Sequence, residues 1–367
     1  MQYNPGWNSS SVNLLHVRAV GPADTLHYVW SSIGAPAVLL VATENGSSSL
    51  RVNWSRLLSP TPAGALWIDP PSSVVYSAAV VFTKVGMRWW GKPNPSAAFP
   101  APAKQPMDIP PWLSPSLSST KEMTWPSVES TAHRTQGELT FYSPVQVTAY
   151  EAGGRDGALP SLLHTANSSK VEFVLAGVAP RGNGSRFALE VAMVEELGVR
   201  QKLRSVRSID DEYTPTIFEM LSLVAESQND SSTLSFLQWK ATAYGSRTPK
   251  REDGIQCRSG SLQAANWTLP VSSIVRAYFG DDVGSTYTVS AVNISFGGEE
   301  GGVYQEKRYL SWSALLGFGQ PPLDTFSPLV ISIVAVALGT PVLMLLVGTC
   351  LVVFAQRKRY SEYEPIN

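Results

Sequence analysis

The run Leu329–Ala355, LVISIVAVALGTPVLMLLVGTCLVVFA, holds no charged side chain and constrains the chain more than any other feature. A helix needs roughly 20 apolar residues to cross about 30 Å of hydrocarbon, and this run exceeds that length. Globular helices rarely run so far without a polar face. The sequence therefore predicts one C-terminal transmembrane helix over 329–355. Pro341 inside it is tolerable, because a freed helix carbonyl can be satisfied by neighbouring groups.

The flanks give an orientation. Arg357, Lys358 and Arg359 follow the run, whereas residues 309–328 contain no Lys or Arg and one acid, Asp324. Basic residues are retained in the cytosol, so residues 356–367 are expected there and the preceding chain in the lumen or outside. Met1–Gly6 opens no apolar leader, which leaves two readings: an incomplete or mature start, or a tail-anchored protein with its bulk in the cytosol. Tail anchoring would put the basic cluster on the wrong side.

The tail ends Tyr363-Glu364-Pro365-Ile366-Asn367, a tyrosine, two spacers and a bulky aliphatic residue. Bound in extended form, such a peptide places its phenol in one pocket and its aliphatic side chain in a second, with backbone pairing between. Close to a membrane on the cytosolic side, Tyr363 and Ile366 read as a lysosomal sorting signal. Its expected receptor is a clathrin-adaptor medium subunit. Tyr360 fits worse, since its fourth residue is Tyr363.

Eight Asn-x-Ser/Thr acceptors precede the span: Asn8, Asn45, Asn53, Asn167, Asn183, Asn229, Asn266 and Asn293. Pro95 spoils a ninth at Asn94. Asn53 is expected on the polar face of a strand over 50–55, Asn293 opposite Val292, Ile294 and Phe296, and Asn183 in a turn. Glycans are accommodated at such positions. Only Cys257 lies before the span, so no luminal disulfide can form within the chain, and core packing must hold the region together. Cys257 is expected to be a buried thiol. Cys350 is expected to be a packed or lipid-facing one.

Short alternating runs separated by Gly, Pro, Asn or Ser recur before the span, among them 14–20, 26–31, 37–42, 74–82, 138–141, 144–150, 171–177, 187–194, 234–244, 274–279, 287–296 and 308–313. That spacing predicts an all-β luminal region of antiparallel sandwich type. Residues 217–225 read as one or two helical turns. Nine prolines within 91–136 oppose a regular ladder there. The expected organisation is a first β domain over 1–90, a Pro-rich loop or linker over 91–136, and a second β domain over 137–326, the alternative being that the Pro-rich stretch is an insertion within one domain.

Chemistry is sparse. With 28 basic against 29 acidic side chains, nothing resembles a nucleic-acid footprint. His16, His27, His133 and His164 are scattered without ligand spacing, so no metal and no cofactor is predicted. Asp210-Asp211-Glu212 is the sharpest acidic cluster. As paired carboxylates it would serve a luminal hydrolase or a glycan-binding protein, the alternative function, but adjacent strand residues face opposite ways and a solvated loop is the simpler reading. Nucleophile-elbow and phosphate-loop patterns do not occur, and the chain reads as non-enzymatic. Within the span, Ala335 and Gly339 form a small-xxx-small pair that would admit a second helix.

Several blocks in order carry a family resemblance: Leu14–Gly21, His27–Ser32, Val52–Ser55, Ser208–Tyr213, Ser273–Gly280, Tyr309–Ser313 and Tyr360–Tyr363. Together they resemble the glycosylated lysosomal membrane protein family. The resemblance implies a single-pass type I protein of the lysosomal membrane with a heavily glycosylated β-rich luminal domain. It further implies an accessory subunit that binds a dipeptide-exporting major-facilitator transporter and protects it from luminal proteolysis. The single luminal cysteine departs from the family, which carries more.

Overall fold

The computed structural model describes residues 14–89, 122–124, 128–132, 139–143, 145–177, 185–210, 216–228, 232–264, 274–297, 304, 307–323 and 328–361. The first strands are β1 (Leu14–Val20), β2 (Thr25–Ser31), β3 (Ala37–Thr43), β4 (Ser49–Val52), β5 (Leu66–Asp69) and β6 (Val74–Trp89), with helix α1 (Trp54–Leu57) after β4. Then come β7 (Glu122–Thr124), β8 (Val128–Ala132), β9 (Leu139–Ser143), β10 (Val145–Ala149), β11 (Gly154–Arg155), β12 (Leu163–His164) and β13 (Ser168–Ala176). Next are β14 (Ser185–Glu196), β15 (Arg200–Asp210), β16 (Thr216–Glu226), β17 (Thr233–Lys240), β18 (Thr242–Tyr244), β19 (Gly254–Ser259) and β20 (Gln263–Ala264). Helices α2 (Ile274–Phe279) and α3 (Val283–Thr286) precede β21 (Tyr287–Phe296) and β22 (Tyr309–Phe318), and a 34-residue helix, Pro328–Ser361, follows.

Most of the strands build two antiparallel sheets, while β4 with β5 and β11 with β12 form separate two-stranded ladders. One runs β1–β2–β3–β6–β14–β21, with β19 and β20 both paired to β21. The other runs β7–β10–β13–β22–β17–β16–β15, with β9 on β13 and β8 on β9. Short β18 pairs with β19 of the first sheet and β22 of the second, joining them at a corner.

Period-two alternation explains the packing. Tyr28, Trp30, Val38, Leu40, Val80, Leu189, Val191 and Ile294 of the first sheet share one core with Val171, Phe173, Leu223, Trp239, Trp312 and Leu316 of the second. The opposite face of the first sheet is covered too. Leu39, Val41, Val81 and Val194 pack there against Ile274, Val275 and Ala277 of α2, and against Leu50, Leu57, Leu66 and Ile68 of the β4–α1–β5 excursion. Coverage on both sides accounts for β2 and β3 being buried at every position.

The predicted all-β sandwich with one C-terminal apolar helix is the observed fold. Its division into two β domains is not. β6, which precedes the Pro-rich stretch, pairs from Ala79 to Trp89 with β14, which follows it, and described residues up to Pro322 make one compact unit. An interrupted sheet looks like two domains in sequence because pairing partners are remote. Residues 90–121 lie outside the described residues, and the end of the supposed linker carries β7 and β8.

Two further expectations change. Residues 217–225 form strand β16 rather than helical turns, since an apolar run covered on both faces loses its period-two signature. Residues 274–279 form α2 rather than a strand. Its apolar positions all meet the first sheet, and Gly280, with φ of 96°, ends it by donating its N–H to the Arg276 carbonyl at 3.0 Å.

Candidate functional site

Within the C-terminal helix, Ile331–Lys358 is long and apolar enough to cross a membrane. Its described side chains are exposed all round, from Ile331 and Leu338 to Leu345 and Phe354, so no polar face exists to turn toward water. Two of its threonine hydroxyls are turned onto the helix's own backbone. Thr340 Oγ1 donates to the Val336 carbonyl at 2.6 Å, beside the break in the ladder at Pro341, and Thr349 Oγ1 donates to Leu345 at 2.8 Å. A methyl group at Gly339 would meet nothing within 4 Å.

Four of the predicted acceptors fall among the described residues. Asn45 sits half-buried in the β3–β4 turn, where the backbone N–H and the hydroxyl of Ser47 each donate to its Oδ1 at 2.8 Å. Asn53 is exposed, but β4 stops at Val52 and Asn53 caps α1 instead of lying in a strand. Its Oδ1 accepts the Arg56 N–H at 3.1 Å. Asn167 is exposed in the turn before β13, and its carbonyl accepts a hydrogen bond from the Tyr28 hydroxyl. Asn293 is half-buried on β21, on the face opposite Val292, Ile294 and Phe296, as alternation predicted. At Asn45 and Asn53 these contacts engage the side-chain oxygen and not the amide nitrogen, the atom a glycan takes. Asn8, Asn183, Asn229 and Asn266, and the tail residues Tyr363 and Ile366, lie outside the described residues.

The acidic cluster is only partly described. Asp210 ends β15 opposite Thr216, and Asp211 and Glu212 lie outside the described residues. Among the described residues no group of three His, Cys, Asp or Glu could hold a metal. Cys257 is buried in the inter-sheet core, and burial pushes its thiol far up.

One polar relay was not legible in the sequence. Ser48 Oγ stands 2.8 Å from His27 Nε2, and His27 Nδ1 stands 2.9 Å from His16 Nε2, with the two rings stacked. Those are the contacts of a nucleophile, a base and an orienting group. Access is reversed, however. Ser48 and His27 have no exposed surface, Ser48 Oγ also donates to the Asn45 carbonyl at 2.9 Å, and only His16 reaches the surface. The relay ties the β3–β4 turn to β1 and β2. Burial, then mutual repulsion, lowers His16 to about 3; burial, then Arg18, lowers His27 to about 4. Both shifts favour the neutral imidazole.

Other charges also serve the fold. Asp156 accepts from Lys170 Nζ at 2.9 Å and from the Tyr150 hydroxyl at 2.6 Å, and the Tyr150 ring stacks on His164 at 3.6 Å between centroids. Glu226, buried at the end of β16, faces Lys202 Nζ at 2.5 Å and pairs with Arg204; hydrogen bonds from both hold its carboxyl below the usual range.

The family described as glycosylated lysosomal membrane protein matches residues 13–359. Glycosylated lysosomal membrane protein A of Xenopus laevis is 48% identical over 382 residues, covering 100% of this chain and 92% of its own. The Homo sapiens protein of that name is 41% identical, covering 99% of this chain and 89% of its own. The Mus musculus protein is 40% identical, with 100% and 90% covered. A two-sheet domain bearing sequons, followed by a single apolar helix and matched end to end by these relatives, belongs to the glycosylated lysosomal membrane protein family.

Proposed function

We propose that the chain is a non-enzymatic accessory subunit of a lysosomal membrane transporter of the dipeptide-exporting major-facilitator type. It protects that transporter from luminal proteolysis and supports its residence in the lysosome. The observation that carries this reading is that the chain combines a compact sandwich with a membrane-length apolar helix whose described side chains are exposed all round. A helix of that kind is free to pack on a neighbour in the bilayer.

Other features support it. Acceptor asparagines at turns and strand faces would carry bulky glycans, which obstruct protease approach to loops. The chain is oriented as a single-pass type I protein, with Arg357 to Arg359 on the cytosolic side. Tyr363 and Ile366 then face the cytosolic adaptor, and the address serves the complex rather than one chain. The buried serine of the His27 relay argues against a hydrolase centred there.

Capture of the full chain from lysosomal membranes in mild detergent tests the partnership. The expected result is a major-facilitator transporter recovered at fixed stoichiometry. Recovery of the chain alone overturns it. Endoglycosidase treatment tests the orientation, and an unchanged gel mobility would overturn that part.

A further inference from the structure

Three buried polar groups meet between the two sheets. Tyr76 projects from β6 and Glu195 from the paired strand β14, both of the first sheet, while Ser235 projects from β17 of the second. Glu195 and Ser235 have no exposed surface and Tyr76 is buried. The Tyr76 hydroxyl contacts Glu195 Oε2, and Ser235 Oγ lies 2.8 Å from Glu195 Oε1 and 2.9 Å from the Tyr76 hydroxyl. The contacts close a triangle.

Counting protons decides the state in which that triangle is complete. An ionised carboxylate brings no proton, so two hydroxyl protons must serve three contacts. Both go to the charge, and the Tyr76 and Ser235 oxygens then face each other with nothing between. A protonated carboxyl supplies the third. Glu195 Oε2–H donates to Tyr76, Tyr76 donates to Ser235, and Ser235 donates back to Glu195 Oε1. Every group is satisfied and no charge is buried.

Among the described residues no cation bears on Glu195; besides Tyr76 and Ser235, the neighbour that shifts it is Glu196, an exposed acid that further opposes ionisation. The Phe318 ring of β22 lies 5.7 Å from the Tyr76 ring and adds an apolar wall. Burial is the dominant cause by which the Glu195 carboxyl is pushed up from 4.5 to about 8.

We propose that Tyr76, Glu195 and Ser235 form an acid-closed latch between the two sheets, complete while Glu195 holds its proton and one hydrogen bond short once the proton is lost. The proposal takes its setting, an acidic lumen, from family membership. The folded chain binds this proton more tightly than the unfolded one, so the latch contributes fully below 4.5 and its contribution is lost as pH rises toward 8. This one contact between the sheets is then weaker in near-neutral compartments of the secretory route than in the lysosome.

The neutral His16–His27 pair runs the other way. Its contribution is present above 6.5 and declines as pH falls, because the unfolded imidazoles take up protons that the folded ones refuse. Total stability therefore mixes two opposing slopes. The difference between the parent chain and Glu195→Gln isolates the latch, since Gln keeps the shape and does not titrate.

Urea unfolding of the full chain in detergent, from about pH 5 to about pH 8, makes that comparison. The ratio of the parent's folding constant to the variant's is expected to fall on the order of a hundredfold across this range. A ratio that does not change with pH overturns the latch. Should the variant fail to fold, the infrared spectrum of the parent decides. A carbonyl band of a buried neutral carboxyl persisting at about pH 7 is expected, and its absence overturns the proposal.

Discussion

Gly317 offers the sharpest test of how a β-sandwich without a cystine resists proteolysis. It lies in β22, opposite Ser168 of β13 on one side and Phe236 of β17 on the other. The Phe236 ring, itself buried, lies across it. A methyl group at Gly317 would sit 2.5 Å from Phe236 Cζ and 2.6 Å from Cε1. Overpacking of that kind costs about 1–3 kcal/mol. The residue's backbone is not left-handed, so Ala regains about 0.5–1 kcal/mol of the entropy that Gly forfeits in a strand. Gly317→Ala should then destabilise by about 1–2 kcal/mol, raising the unfolded fraction roughly 5- to 30-fold. Urea unfolding of the full chain in detergent, followed by tryptophan fluorescence, measures the first figure. Cleavage by a luminal protease under native conditions tracks the second. Phe236→Leu removes the opposing ring edge, so in that background Gly317→Ala should cost less, by at least about 1 kcal/mol. An equal cost in both backgrounds, or none in either, would refute the packing argument.

Asn53→Ala and Ser55→Ala both destroy the same sequon and should remove the same glycan on a gel. Only the first also removes the cap on α1, at about 1 kcal/mol, so equal thermal midpoints for the two would contradict the capping role. Asp156→Ala leaves the half-buried Lys170 without its carboxylate and should cost about 3 kcal/mol, part of it recovered by adding Lys170→Met. Unfolding midpoints in a double-mutant cycle check the sign of that recovery. Glu195→Gln should flatten one arm of the pH dependence, as set out for the inter-sheet latch.

Much of this was readable in the residues. Leu14–Val20, Ala37–Ala42 and Tyr287–Phe296 announce themselves by alternation or by β-branched runs between turn residues, and the uncharged run before Arg357 leaves little choice but a membrane helix. The errors have physical causes. Ile217–Ala225 spaces Glu219 and Ser222 three apart, which mimics a helix, yet the segment is a strand covered on both faces. Ile274–Phe279 has strand propensity but is helical because its apolar side caps the first sheet; Gly280 was the available signal. Arg200–Asp210 escaped notice because an edge strand that alternates charge with little apolar content resembles a loop.

The relay and the latch were beyond sequence reasoning for a different reason. Tyr76 and Glu195 are 119 positions apart, and Ser235 lies another 40 further on. No local pattern encodes that meeting; only the register of β6 on β14 and the stacking of the two sheets create it. The same holds for His16, His27 and Ser48, whose contacts depend on the β1–β2 pairing and on the β3–β4 turn folding back. Within one chain, spacing predicts strands. It does not predict which strands lie face to face.

The central claim is that this glycosylated sandwich shields a transporter in the lysosomal membrane. Pulse-chase measurement of the transporter's lifetime, in cells with and without the chain, tests it most directly when luminal proteases are either active or inhibited. The account predicts a shortened lifetime without the chain and its restoration by protease inhibition. A lifetime that does not change on removing the chain, or a loss that protease inhibition fails to reverse, would contradict it.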